Sequence, residues 1–202
     1  MKTISQLIIT MMICLFSIQA WAQSGKLFNT DNQLSSNLAT QVFQDKSGFI
    51  WIATRNGLNN YDGYHINVIK KDMSNFLGLN SNYIISIAQD EKEHILLGTN
   101  NSLLEFTGSE FLKIPMLDSK GEELATYVKQ VYPLKNKDIA VATSGYGIML
   151  KKQDEQKCHA MKGEVEKLKY IHKLLEDKRG KLWIITEDGK LYRKETNGRV
   201  TS

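Results

Sequence analysis

The 202 residues carry 26 Lys and Arg against 22 Asp and Glu, a formal charge of +4, with the two signs interspersed along the chain. No basic run is concentrated enough to grip a phosphate backbone, so nucleic acid is excluded as a partner. There are two cysteines, Cys14 and Cys158. Cys14 falls in a leader, which leaves no pair to staple an exported chain, and the core has to come from packing.

Met1 to Ala22 begins with Lys2, runs apolar from Leu7 to Ile18 and ends on Ala20-Trp21-Ala22, a small-x-small cleavage site. These three regions predict a signal peptide over residues 1–22 and a mature part over 23–202. The apolar run is shorter than the roughly 18–20 residues a spanning helix needs. Gly25 to Asn37 is polar and reads as a lead-in strand or loop.

Asp45 to Gly63 then reads DKSGFIWIATRNGLNNYDG. Asp45 and Gly48 frame a tight turn, in which the carboxylate bonds the backbone ahead of it and glycine supplies a positive φ. Phe49 to Thr54 is a short aromatic and β-branched strand. Asn56-Gly57 predicts a type I′ hairpin, with positive φ at both central residues. Leu58 to Tyr61 follows as a strand, Asp62-Gly63 turns the chain again, and Tyr64 to Ile69 makes the next strand. With Leu38 to Gln44 upstream, one unit holds four strands.

The unit returns as DEKEHILLGTNNSLLEF from Asp90, LKNKDIAVATSGYGIML from Leu134 and DKRGKLWIITEDGKLY from Asp177. The second residue of each strand core, Trp51, Leu96, Ala140 and Trp183, recurs at intervals of 45, 44 and 43. Leu34-Ser35-Ser36-Asn37 is echoed by Leu79-Asn80-Ser81-Asn82 at the same 45-residue offset. A period of roughly 40–50 residues with four short strands per unit is that of a β-propeller blade. The expected fold is all-β, a propeller of about four blades of four antiparallel strands, at residues 37–72, 82–116, 125–161 and 168–202. Its structural positions are Asp45, Gly48, Trp51, Thr54, Gly57, Tyr61 and Gly63, then Asp90, Thr99 and Thr143. In the last unit they are Asp177, Gly180, Trp183, Thr186, Gly189 and Tyr192.

The third unit is the most worn, with Leu134 at the aspartate position and Ala140 at the tryptophan position. Its Gly145-Tyr146-Gly147 lacks the third glycine and following helix of a phosphate loop, and reads as a hairpin turn. Val165, Leu168, Ile171, Leu174 and Leu175 have near-helical spacing, but Tyr170 to Asp177 aligns with Ala39 to Asp45 and Tyr83 to Asp90. The repeat frame therefore predicts a strand there. The runs IWI, ILL and LWII scarcely alternate, as expected of strands covered on both faces, and Trp51 and Trp183 are read as packing between blades. Cys158 is read as a half-buried small hydrophobe.

No catalytic constellation emerges from spacing. His65, His94, His159 and His172 stand at no metal-ligand intervals, and there is no nucleophile elbow, P-loop or HExxH. Asp45, Asp90 and Asp177 recur at one place in the unit, which assigns them to turn geometry rather than to one active site. No catalytic residue, metal or cofactor is expected. Ligand contacts are expected from the hairpin after each second strand, at Arg55 and Asn56, Asn100 and Asn101, Ser144 and Tyr146, and Glu187 and Asp188.

The combination of LSSN, the D-x-x-G turn, IWIAT, NGL and YDG resembles the two-component regulator propeller repeat. The match is nearly complete in the first unit, partial in the second and fourth, and weak in the third. The resemblance implies the exported sensor region of a hybrid two-component system, a type common in gut Bacteroidetes. Such sensors have two seven-bladed propellers, a β-sandwich, a membrane helix, a histidine kinase, a receiver and an AraC-type DNA-binding domain. It also implies an oligosaccharide ligand from polysaccharide breakdown, a periplasmic location on an inner-membrane anchor, and dimerisation of the full-length parent. The kinase motifs are absent from these 202 residues, so the expectation is a fragment without kinase activity, whose partners are the remaining blades and the kinase. A secreted propeller lyase or hydrolase, and a protein-binding scaffold, are the alternatives. An arc of four blades also leaves open closure by oligomerisation or on itself.

Overall fold

A computed structural model describes residues 25, 27–71 and 78–202 of the chain. The expected signal peptide, with Cys14, lies outside the described residues, as does Asp72 at the end of the first expected unit. The first sheet holds β1 (Ala39–Gln44), β2 (Ile50–Thr54), β3 (Gly57–Tyr61) and β4 (Ile66–Ile69). The second holds β5 (Ile84–Gln89), β6 (Ile95–Thr99), β7 (Leu103–Phe106) and β8 (Phe111–Ile114). After β9 (Met116–Leu117), the third comprises β10 (Val128–Pro133), β11 (Ile139–Thr143), β12 (Ile148–Lys151) and β13 (Cys158–Ala160). The fourth holds β14 (Ile171–Glu176), β15 (Leu182–Thr186), β16 (Leu191–Lys194) and β17 (Val200–Thr201).

Each sheet is an antiparallel meander, and in each a bulge interrupts the register between the first two strands at one position: Ala39/Gln41, Ile84/Ser86, Val128/Gln130 and Ile171/Lys173. The third sheet departs from four strands, because β9 pairs in parallel with β13, Cys158 opposite Met116. Met116 is buried with the third sheet's core, and the Cys158 N–H donates to the Pro115 carbonyl at 2.8 Å. The chain leaving the second sheet thus covers a strand edge that would otherwise stand unpaired. Cys158 is fully buried rather than half-buried, and desolvation pushes its thiol up to about 12.

The core is three seams between sheets. Trp51, Ala53 and Leu58 pack on Ile84, Ile87, Leu97 and Phe111. Leu96 and Leu103 pack on Val128, Val131 and Val141, and Ala140, Ala142 and Ile148 pack on Ile171, Leu174 and Ile184. The residue at the repeat's marker position thus faces the following sheet in each of the first three. Trp183 stands in the same place on the fourth sheet, beside Leu175 and Leu191, which are 59% and 51% exposed. Among the described residues no sheet covers that face, and the indole packs instead under Arg193 at 5.4 Å.

Local chemistry explains the turns. The Phe49 N–H and the Trp51 indole N–H donate to the two carboxylate oxygens of Asp45, at 3.0 and 2.8 Å. Asp177 repeats this with the Lys181 N–H at 3.0 Å and the Trp183 indole at 3.1 Å. Each aspartate thereby joins the turn to the middle of the next strand. The β2–β3 hairpin differs from the predicted type I′. Its two loop residues are Arg55 and Asn56, neither of which has positive φ, and Gly57 is already in β3 at φ 131°. Gly57 is needed for space, since an added Cβ would meet the Ile69 carbonyl at 3.0 Å. Where spacing alone suggested a helix, a single 3-10 turn (Glu164–Lys167) precedes the strand β14. Polar lead-in residues form another short 3-10 turn (Thr30–Asn32).

Gly98 lies in the second seam, where an added Cβ would sit 2.6 Å from Val128 Cγ1. Gly98→Ala is expected to lower unfolding stability by about 1–3 kcal/mol through overpacking, read by denaturant titration. Burial raises the Asp177 carboxyl's pKa, but the N–H groups of Lys181 and Arg179 and the Trp183 indole outweigh it and hold the group below its ordinary 3.8. A depressed acid contributes stability above that value and loses it as pH falls through the folded pKa. The stability gap between the wild type and Asp177→Asn is therefore expected at pH 7 and should narrow below pH 3.8.

Candidate functional site

The four hairpins that carry the expected ligand residues lie at one end of the sheets, beside the residue that precedes each first strand. The Arg55 N–H donates to the Leu38 carbonyl at 3.1 Å, Ser144 to Tyr127 at 3.0 Å and Glu187 to Tyr170 at 3.0 Å. Adjacent sheets are stitched at this same end. The Gly57 N–H donates to the Asn82 carbonyl at 2.7 Å, and the Gly147 N–H to the Lys169 carbonyl at 2.8 Å. Buried threonines close the hairpins from below, Thr54 Oγ1 donating to the Gly57 carbonyl and Thr143 Oγ1 to the Gly147 carbonyl, with Thr99 and Thr186 Oγ1 in the same place, 3.0 and 3.1 Å from the Ser102 and Lys190 carbonyls.

Side chains from successive sheets meet in one row. The Arg55 guanidinium lies 5.5 Å from the Tyr83 ring centre, and Tyr83 packs edge-on against Tyr127 at 5.8 Å. The Lys129 ammonium sits 4.6 Å from the Tyr127 ring and 3.3 Å from Glu187. Glu187 in turn lines a cleft of about 540 Å³ with Tyr170, Asp188, Tyr192 and Lys169. Tyr170 is 58% exposed. The row presents aromatic faces next to charged hydrogen-bonding groups, a mixture suited to a ligand with apolar faces and many polar substituents.

The structure brings Arg55 and Glu187 of the expected residues to this row and adds Tyr83, Tyr127, Lys129 and Tyr170, while Ser144 joins it through its backbone, bonded to Tyr127 and bridged to Tyr170. A signal for the tyrosines was present: the residue before each first strand is Leu38, Tyr83, Tyr127 and Tyr170, recurring with the repeat. Asn56, Asn100 and Asn101 spend their side chains holding the hairpins. The Asn56 amide reaches the Ser35 carbonyl at 3.4 Å, Asn100 Oδ1 accepts from Ser81 at 2.7 Å, and Asn101 Oδ1 accepts from Thr99 at 3.0 Å. Tyr146 lines a smaller cleft of about 270 Å³ with Leu124, Glu166 and Lys169. Asp188 is paired with Lys190 at 2.7 Å; the Lys190 ammonium and the Thr186 hydroxyl bring its carboxyl down to about 2.

At the opposite end of the second sheet, Asp90, His94 and Glu105 offer ligand atoms within 4.8 Å of one another. Spacing had shown no metal-ligand set, because Glu105 reaches the turn from β7 through strand pairing. Among the described residues this is the only cluster of its kind.

Burial pushes the Tyr127 phenol up to about 12, the Tyr83 phenol beside it adding to the rise and Arg55 opposing it. Subtracting the ultraviolet titration of Tyr127→Phe from that of the wild type should give one phenol ionising near 12. In Tyr83→Phe the same difference is expected at lower pH.

Residues 33–56 match the model described as the two component regulator propeller. No curated protein matches the sequence. Among solved structures, the chain is similar to an extracellular domain assigned to a hybrid two component system of B. thetaiotaomicron. The TM-score is 0.69 at 18% identity, over 82% of this chain and 25% of that one. A virginiamycin B lyase from Staphylococcus aureus aligns with TM-score 0.65 at 11% identity, over 89% of this chain and 60% of the lyase. The type-IX secretion component PorZ of Porphyromonas gingivalis gives 0.58 at 19%, over 78% of this chain and 26% of that one. The likeness establishes a propeller fold, and the chain spans about a quarter of the extracellular domain it resembles. Among the described residues no helix is long and apolar enough to cross a membrane.

Proposed function

We propose that this chain, which carries the two component regulator propeller repeat, is part of the periplasmic sensor region of a hybrid two-component regulator and binds an oligosaccharide. The observation that carries the reading is the row Arg55, Tyr83, Tyr127, Lys129 and Glu187, assembled from different sheets at one end of the arc. Sugar rings present C–H faces that lie against phenol rings, while their hydroxyls accept hydrogen bonds from guanidinium and ammonium groups and donate them to carboxylates. A surface contributed by several sheets also feels a change in their relative tilt, which gives binding a mechanical route to an output. The bare face of the fourth sheet, with Trp183 and Leu175 in the places that meet a following sheet elsewhere, is where further blades of the parent are expected to pack. The kinase and the DNA-binding output belong to that parent, which acts as a dimer anchored in the inner membrane.

Enzymes share this architecture, the virginiamycin B lyase among them. The carboxylates of the row argue for binding rather than turnover. Glu187 is paired with Lys129 and Asp188 with Lys190, so each acid lining the cleft is held in an ion pair by an ammonium.

The chain should bind oligosaccharides from a panel of polysaccharide digests saturably in isothermal titration. Tyr127→Ala is expected to weaken the hit by tenfold or more, roughly 1.4 kcal/mol or above, as for an aromatic anchor. His159→Ala, remote from the row, should leave it unchanged. A folded chain that ignores the whole panel, or one that degrades its members, would overturn the reading.

A further inference from the structure

The turn aspartates of the repeat are not equivalent in their second oxygen. In the first and fourth sheets Oδ2 accepts the indole N–H of a tryptophan six residues on, at 2.8 and 3.1 Å. In the second sheet that tryptophan is Leu96, a fully buried side chain with no donor. Asp90 keeps the backbone half of the pattern, its Oδ1 accepting from the His94 N–H at 2.8 Å. Among the described residues no hydrogen bond reaches its Oδ2, which lies 3.7 Å from His94 Nδ1. Glu105, opposite Leu96 in the β6–β7 register, brings a second carboxylate to the same place, 2.8 Å from that nitrogen. The Asp90 and Glu105 side chains are only 10% and 9% exposed, whereas His94 is 31% exposed and opens the cluster to solvent. Two nearly buried carboxylates therefore converge on a single imidazole, where the sister sheets have one carboxylate and a neutral donor.

We propose that Asp90, His94 and Glu105 bind a divalent first-row cation of the zinc type. One imidazole nitrogen with two carboxylate oxygens is a donor set for such ions, whereas calcium and magnesium favour oxygen alone. Bonds of about 2.0–2.2 Å in a tetrahedral arrangement place ligand atoms about 3.3 Å apart. The two separations from the His94 nitrogen, 2.8 and 3.7 Å, bracket that figure, and the widest gap in the cluster is below 4.8 Å. Small side-chain rotations close the geometry. The three protein ligands leave a fourth position towards solvent for water. Bound there, the ion ties the β5–β6 turn to β7, in the place where the indole-to-aspartate bond ties the turn to the second strand in the first and fourth sheets. This inference does not depend on the sensor reading.

The test is titration of the chelator-treated full chain with Zn²⁺, followed by calorimetry and thermal unfolding. One bound ion is expected. At a hundredfold excess over its Kd the unfolding midpoint should rise by about 5–10 °C. Glu105→Gln keeps shape and removes charge, and should weaken binding at least tenfold, as should His94→Ala, while both variants remain folded by circular dichroism. His159→Ala, which removes the imidazole of a surface pair with Glu155, controls for adventitious histidine binding and should change nothing. The proposal is overturned if the folded chain takes up no ion, or if Glu105→Gln binds as tightly as the wild type; the cluster is then a hydrogen-bonded triad alone.

Discussion

Packing one sheet's face on the first strand of the next is the constraint from which the rest of this structure follows. A four-stranded meander of short strands cannot bury both faces by itself, so each depends on neighbours at a fixed tilt and distance. The three seams show how tightly the distance is held. Gly98 admits Val128 where a methyl group would not fit, and alanines at 140 and 142 meet Ile171, Leu174 and Ile184. Where Trp51 fills a seam, its indole is also bound to Asp45, so the bulk that separates two sheets is oriented by the turn of its own sheet.

Repetition of that packing produces the candidate site. Because every first strand is held beside the next, the residues just before them are stacked into a row at one end. A tyrosine at that place in three consecutive units becomes one continuous surface. Tyr83 would not meet Tyr127, nor Arg55 meet Tyr83 or Lys129 meet Glu187, if the sheets were separate. The same repetition exposes departures from the pattern. Replacing the marker tryptophan by Leu96 in the second sheet filled the seam with an aliphatic side chain, removed a donor, and left Asp90 facing His94 and Glu105.

The worn third unit gives a related lesson. It has lost the turn aspartate and the tryptophan, yet it forms the largest sheet, because β9 adds a parallel strand along β13. The compensation comes from the connection between sheets, with Met116 and Leu124 buried in the seam.

The amino-acid sequence by itself determined the repeat, the order of strands and the number of sheets, since these rest on local turn chemistry and on residues at a constant period. It also placed β14 correctly against a helical spacing, because the repeat frame carries information that a single window lacks. It named the hairpins beside the row and two of its members, Arg55 and Glu187. Tertiary structure alone decided which of those residues are spent on holding the hairpins, as Asn56, Asn100 and Asn101 are. Only the tertiary structure joined Tyr83 to Tyr127, or Asp90 to Glu105, and laid β9 on β13. These pairs are separated by 44, 15 and about 42 residues, and their meeting depends on strand register and on the tilt between sheets. Periodicity records which face a residue takes, but the distance across a seam is set by the summed bulk of side chains from two units.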